Sequence, residues 1–135
     1  MKDASGKYTR WTDVRLLRRM LRDRVHRNHS IAETLGHWHY VRNSELKHII
    51  PYVGTVDYLI NGGLAFELPV LKKCMGSDFP EPDEFTDDPK RMDAYLRAKR
   101  VRKLLDAVEA IDDISIVPGD SHLREFIGGS SYGVH

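Results

Sequence analysis

The stretch VGTVDYLINGG, residues 53–63, decides the fold class. Its centre, Val56-Asp57-Tyr58-Leu59-Ile60, is rich in β-branched and aromatic residues and runs into Gly62-Gly63, the signature of a buried strand that ends in a turn. A strand that is nearly all apolar belongs in a parallel sheet covered on both faces. The next stretch, LAFELPVLKKCM (64–75), is apolar enough for a helix packed on that strand. Because Pro69 is tolerated only near a first turn, the helix is predicted to start near Leu68. Strand followed by helix gives an α/β expectation.

Upstream, Thr12 or Asp13 can cap a helix that runs to about Arg27, with Val14, Leu17, Leu21 and Val25 on one stripe and Asn28 as its stop. Ser30 and Glu33 have the spacing of a capping box for a short helix to about His37. Asn43-Ser44 can cap a third helical stretch, Glu45 to Ile49, which Pro51 ends. Downstream, residues 76–89 hold three prolines and six acidic residues without Lys or Arg, the composition of a solvated loop. Pro89 suits the first position of a long helix to about Ile111, with Met92, Leu96, Val101, Leu104, Leu105 and Val108 on its core side. Ile114–Val117 is a short strand candidate, and a last short helix reaches Phe126. The chain thus divides into 12–50, 53–75, 76–89 and 90–135, behind an unpatterned polar entry at 1–10, all within one domain or part of one.

With 135 residues, one domain is the expectation, and the single Cys74 cannot form an internal bridge. No apolar run approaches the roughly 20 residues that span a bilayer, so the expected location is cytoplasmic, with no membrane partner. The net charge of +1 hides an asymmetry. Residues 1–48 carry 11 Lys/Arg against 5 Asp/Glu, and residues 49–135 carry 10 against 15. A basic block at one end suggests an anionic partner there.

Within that block, Arg15, Arg18, Arg19 and Arg22 share one arc of the first helix. Like charges at these spacings repel by a few tenths of a kcal/mol per pair, so the arrangement needs compensation. An anion supplies it, since guanidinium forks match phosphate oxygens. The plain alternative is a solvated face partly neutralised by Asp13 and Asp23. His26, His29, His37 and His39 cluster nearby, and His37-x-His39 on a strand would suit zinc. With no cysteine close and Trp38 and Tyr40 interleaved, scattered polar histidines are the preferred reading, and no metal site is assigned. Trp38 and Tyr40 read as core aromatics.

The stretch Asp13-Val-Arg15-Leu-Leu-Arg18-Arg19-Met-Leu-Arg22-Asp23-Arg-Val-His-Arg27-Asn28 resembles the lid of the uridine kinase and phosphoribulokinase family, Asp-x-Arg-Leu-x-Arg-Arg-x-x-Arg-Asp-x-x-x-Arg-Gly. Three more stretches follow in the family's order. Ala32–Trp38 with Val41-Arg42 is similar to the helix after the lid. Val56–Asn61 with Phe66–Leu71 is similar to the last core strand and its helix, and Leu123–Ser130 to the tail of bacterial uridine kinase-like proteins. The resemblance covers about residues 8 to 132. It implies a helix-rich carboxy-terminal part of a P-loop kinase-like doubly wound α/β fold, with one or two short strands.

By the same resemblance, Arg19, Arg22 and Arg27 are the ATP-phosphate-binding residues of the lid, and Arg15, Arg18 and His29 are candidates for substrate contacts. The family glycine after the last arginine is Asn28 here. The nucleoside-contacting arginine beyond it is His29, so uridine itself is not implied. No Gly-x-x-x-x-Gly-Lys-Ser/Thr occurs, so nothing in the chain can cradle a triphosphate or hold Mg²⁺ as P-loop kinases do. The expectation is a piece of an ATP- and Mg²⁺-dependent kinase, inactive alone and without catalytic residues of its own. Its partners would be ATP or phosphate anions and the missing P-loop half, and a homo-oligomer is a further way to cover the apolar strand. The alternative is a noncatalytic module that holds RNA or another polyanion on the same arginine helix.

Overall fold

The computed structural model describes residues 6, 8–85 and 91–133. Five α-helices lie among them: α1 (Trp11–Arg27), α2 (Ile31–His48), α3 (Glu67–Met75), α4 (Met92–Asp106) and α5 (Arg124–Ile127). The described chain is a helix-rich assembly in which α1 packs against α2, α3 and α5, and α2 against α4. No helix among the described residues is long and apolar enough to cross a membrane.

α1 is the centre. Leu16, Leu17, Met20 and Leu21 are all fully buried. The predicted stripe is therefore displaced: Val14 is half-buried and Val25 exposed. Contact with three neighbouring helices widens the buried arc, and the last turn of α1 passes beyond the core. The helix begins at Trp11, with Arg10 as its N-cap and no side-chain cap bond. Asp13 does not cap it, nor does it neutralise the arginine face. It is buried and accepts two hydrogen bonds from Arg100 of α4, at 2.8 Å from Nε and 2.7 Å from a terminal nitrogen. Those bonds to Asp13 hold the Arg100 guanidinium above its ordinary pKa.

The two helical stretches predicted between Ile31 and Ile49 are one continuous α2. Nothing from His37 to Asn43 breaks a helix, and buried Ile31, Leu35, Trp38 and Glu45 bind it to the body along its length. Pro51 then enters a 3₁₀ segment, Ile50–Thr55.

Both predicted strands are absent. Residues 56–60 form no strand and stand out in solvent. A strand exists only by pairing, and among the described residues no segment pairs with this one. Ile114–Ile116 is a 3₁₀ turn, because the Asp113 side chain accepts from the Ser115 backbone N–H at 2.8 Å and offers the backbone a local alternative to a ladder. The acidic stretch is not simply solvated either. Phe79 and Phe85 are buried, and Arg102 donates to Glu81 at 2.9 Å. Its end at 86–89, including the predicted helix start at Pro89, lies outside the described residues, as does most of the entry at 1–10. α4 is shorter than predicted and turned: Ala94, Ala98, Val101 and Leu105 face inward, while Met92 and Leu96 are exposed.

Candidate functional site

The end of α1 and the start of α2 are joined by a three-residue turn whose local chemistry is explicit. Asn28 adopts the left-handed conformation (φ 54°, ψ 31°), and the N–H groups of Asn28 and His29 both donate to the Asp23 carbonyl. Ser30 then opens α2 with a complete capping box: the Glu33 N–H donates to Ser30 Oγ at 3.1 Å, and the Ser30 N–H donates to Glu33 Oε2 at 2.7 Å. The Ser30 backbone donor, with its hydroxyl contact second, holds the Glu33 carboxyl below its ordinary pKa.

This turn folds α2 back along α1 and forms a cleft of about 170 Å³. Asp23 sits on one wall. Its carboxylate is buried, accepts from Arg19 Nε at 2.7 Å and from the Thr34 hydroxyl at 3.4 Å, and has Arg27 at 3.3 Å from Oδ1. Oδ1 has no hydrogen bond within the described chain. Trp38 and Val41 give the cleft an apolar wall, and His29, Glu33 and His37 line the rest. Two guanidinium groups share the Asp23 carboxylate, and with Glu33 on the cleft wall the formal charges of these four side chains cancel. Asp23 fixes the Arg19 fork by a hydrogen bond and draws Arg27 by charge alone.

Compared with protein-family models, curated proteins and solved structures, the chain matches none.

Of the six predicted site residues, the structure places Arg19 and His29 in the lining of this cleft, holds Arg27 next to it on Asp23, and sends the other three elsewhere. Arg15 pairs with buried Glu45, which Arg42 also holds, and the Arg15 and Arg42 guanidinium carbons lie 5.2 and 5.6 Å from the Trp11 ring centroid. Arg18 makes a two-pronged pair with fully buried Glu67, one prong at 2.8 Å, and also donates to the Gly62 carbonyl at 2.8 Å. Arg22 turns towards α5, where Glu125 is 3.6 Å away, and its buried Nε has no hydrogen-bond partner. Arg24 is tied to Asp78.

Sequence reasoning missed Thr34, His37 and Trp38 as cleft residues and took Asp23 only as a diffuse neutraliser. The signal was present: Arg19, Asp23 and Arg27 fall at i, i+4 and i+8, and Thr34 and Trp38 are again four apart. His37 and His39 lie on a helix, not a strand, and each ring bonds its own helix, at Glu33 O and Gly36 O. Tyr40, read as core, is exposed against His39. Among the described residues no three His, Cys, Asp or Glu side chains gather as a metal site.

A larger cavity of about 260 Å³ lies between the carboxy-terminal ends of α3 and α4. Its cations are already committed: Lys72 donates to the Val108 carbonyl at 2.8 Å, and Arg102 to Glu81. Chemistry favours the smaller cleft.

Proposed function

We propose that this chain is the lid-bearing carboxy-terminal part of an ATP-dependent uridine kinase-like phosphotransferase of the doubly wound P-loop class, acting on a nucleoside or sugar acceptor. The observation that carries the reading is the shared carboxylate of Asp23, which hydrogen-bonds Arg19 in the cleft and draws Arg27 beside it, two forks that an incoming phosphate would share with Asp23. In this reading the P-loop half holds ATP and Mg²⁺, which supply the transferable phosphoryl group and neutralise its charge. Arg19 and Arg27 meet the phosphate oxygens, and because Asp23 already orders Arg19, little of that side chain's entropy is left to lose on binding. Arg22 joins them from the α5 side when its loose contact with Glu125 opens. The buried Oδ1 of Asp23 and the Thr34 hydroxyl would receive an acceptor's O–H or N–H against Trp38. A cytoplasmic location accompanies this reading.

Titration of the chain with ATP and with inorganic phosphate, followed by NMR, tests it. The expected result is weak, single-site saturation, loosened about tenfold or more, ~1.4 kcal/mol, by Arg19→Gln with Arg27→Gln and unchanged by Arg10→Gln. No binding, or equal loss from every arginine, overturns the assignment. Phosphorylation of uridine, cytidine or ribulose 5-phosphate by the pure chain overturns the need for a second half.

A second reading, an RNA- or polyanion-binding module, is favoured by one observation: half-exposed Trp11 beneath Arg15 and Arg42 offers a stacking face beside two phosphate forks. On that reading affinity for poly(U) falls steeply with salt and is lost in Trp11→Ala.

A further inference from the structure

Asn61 and Gly62 stand in exposed, irregular backbone shortly before α3. The carbonyl carbon of an asparagine side chain lies within reach of the backbone nitrogen that follows it, and attack by that nitrogen closes a five-membered ring without any second molecule. Two things normally oppose the closure: a side chain on the following residue, and a hydrogen bond that occupies its N–H. Gly62 has no side chain, and its N–H donates to nothing among the described residues. The next donor along, the Gly63 N–H, bonds Asn61 Oδ1 at 3.0 Å and folds the side chain towards the backbone ahead of it. That donor rests on the oxygen that gains negative charge as the ring forms. The other two asparagines of the chain are placed differently. After Asn28, the His29 N–H is taken by the Asp23 carbonyl at 3.1 Å. Asn43 lies inside α2, whose ladder takes up the Ser44 N–H.

We infer that Asn61 is a site of spontaneous covalent modification, converted to isoaspartate and aspartate, which places a new carboxylate beside the pair of Arg18 and Glu67. Base removes the Gly62 amide proton, the Gly62 nitrogen bonds to Asn61 Cγ, and the Cγ–Nδ2 bond breaks with Nδ2 leaving, reprotonated, as ammonia. Water then opens the succinimide. Cleavage of the ring nitrogen from Cγ gives aspartate, and cleavage from the backbone carbonyl carbon gives isoaspartate, in which the main chain runs through the former side chain. Nothing is oxidised or reduced, and water is consumed once. The product has a direct structural reader. Arg18 donates to the Gly62 carbonyl and to Glu67 Oε2, each at 2.8 Å, so the fork that ties α1 to the start of α3 also holds the modified peptide. Isoaspartate lengthens the main chain before Gly62 and draws its carbonyl off Arg18, while the new carboxylate competes with Glu67 for the same fork. The inference is independent of the kinase reading.

The test is ageing of the full chain in isotopically labelled water at neutral and mildly alkaline pH, followed by peptide mapping with fragmentation that separates isoaspartate from aspartate. Asn61 should convert at least about tenfold faster than Asn28 or Asn43, faster at the higher pH, with solvent oxygen in both products. At Gly62 an added Cβ meets no atom within 4 Å and φ is not left-handed, so Gly62→Ala should fold and melt as the native chain does. It should slow the conversion by about tenfold or more. Asn61→Gln is the second variant and should stop it. In the aged native chain the Arg18 side-chain NMR signal should shift, and in aged Asn61→Gln it should stay. Conversion of Asn61 no faster than of Asn28 and Asn43, or at the native rate in Gly62→Ala, overturns the site. Conversion that leaves the Arg18 signal in place overturns the link to the pair.

Discussion

α1 and the segment 56–60 exchange the places their compositions suggest. α1 carries six arginines in positions 15–27 and forms the centre of the core, whereas 56–60 carries one charge and stands in water. The difference lies in partners. The leucines of α1 are fully buried in the core, and four of its arginines find carboxylates contributed from far along the chain: Glu45, Glu67, Asp78 and Glu125. Part of the basic block at the front is thus neutralised by the acidic surplus behind it, through Glu67, Asp78 and Glu125. The apolar segment finds no counterpart among the described residues.

The largest expected effect tests the paired half of that comparison. Glu67→Ala leaves the part-buried Arg18 guanidinium without its carboxylate and should cost about 1–3 kcal/mol in urea unfolding, whereas replacing both partners by leucine should cost less. If Glu67→Ala is tolerated, α1 is held by its leucines alone. A middle-sized effect concerns the cleft. Ser30→Ala removes a cap and should lower stability by about 1 kcal/mol. The acid side of the same box sets a pH dependence. The folded Glu33 pKa lies below the unfolded value of about 4.3, so its contribution is present above that value and lost as the pH falls through the folded one. The stability difference between the native chain and Glu33→Gln should therefore shrink below about pH 4. Smallest of all, within about 0.5 kcal/mol, is the effect of Leu59→Lys with Ile60→Lys on the isolated chain, since these side chains leave little packing behind. A large loss there would show that the segment is not bare.

Legibility followed range. The Asn28 stop, the Ser30–Glu33 box and the helical face around Leu17 and Leu21 are written in neighbouring residues and could be read directly. The pairing of Arg18 with Glu67 spans 49 positions, and no local pattern announces it. Asp13 looked like a cap because nothing near it in sequence mentions Arg100. The strand reading of 56–60 rested on the local preference of β-branched and aromatic residues for extended backbone, and it fails because a strand is a property of a pair. For the cleft, Arg19 and His29 were anticipated, with Arg27 beside it, while Thr34 and Trp38 depend on how α2 folds back, which the turn at Asn28 decides.

The two tryptophans of the chain sit in opposite surroundings, Trp38 buried against the cleft and Trp11 half-exposed beneath two guanidinium groups. That placement makes the protein its own fluorimeter. Trp38 emits from an apolar wall, towards the blue and out of a quencher's reach. Trp11 emits further to the red, and iodide, drawn in by Arg15 and Arg42, darkens it first. In Trp11→Phe the whole signal comes from the ring that shares a cleft with Arg19, so a ligand's arrival there can be followed without any label.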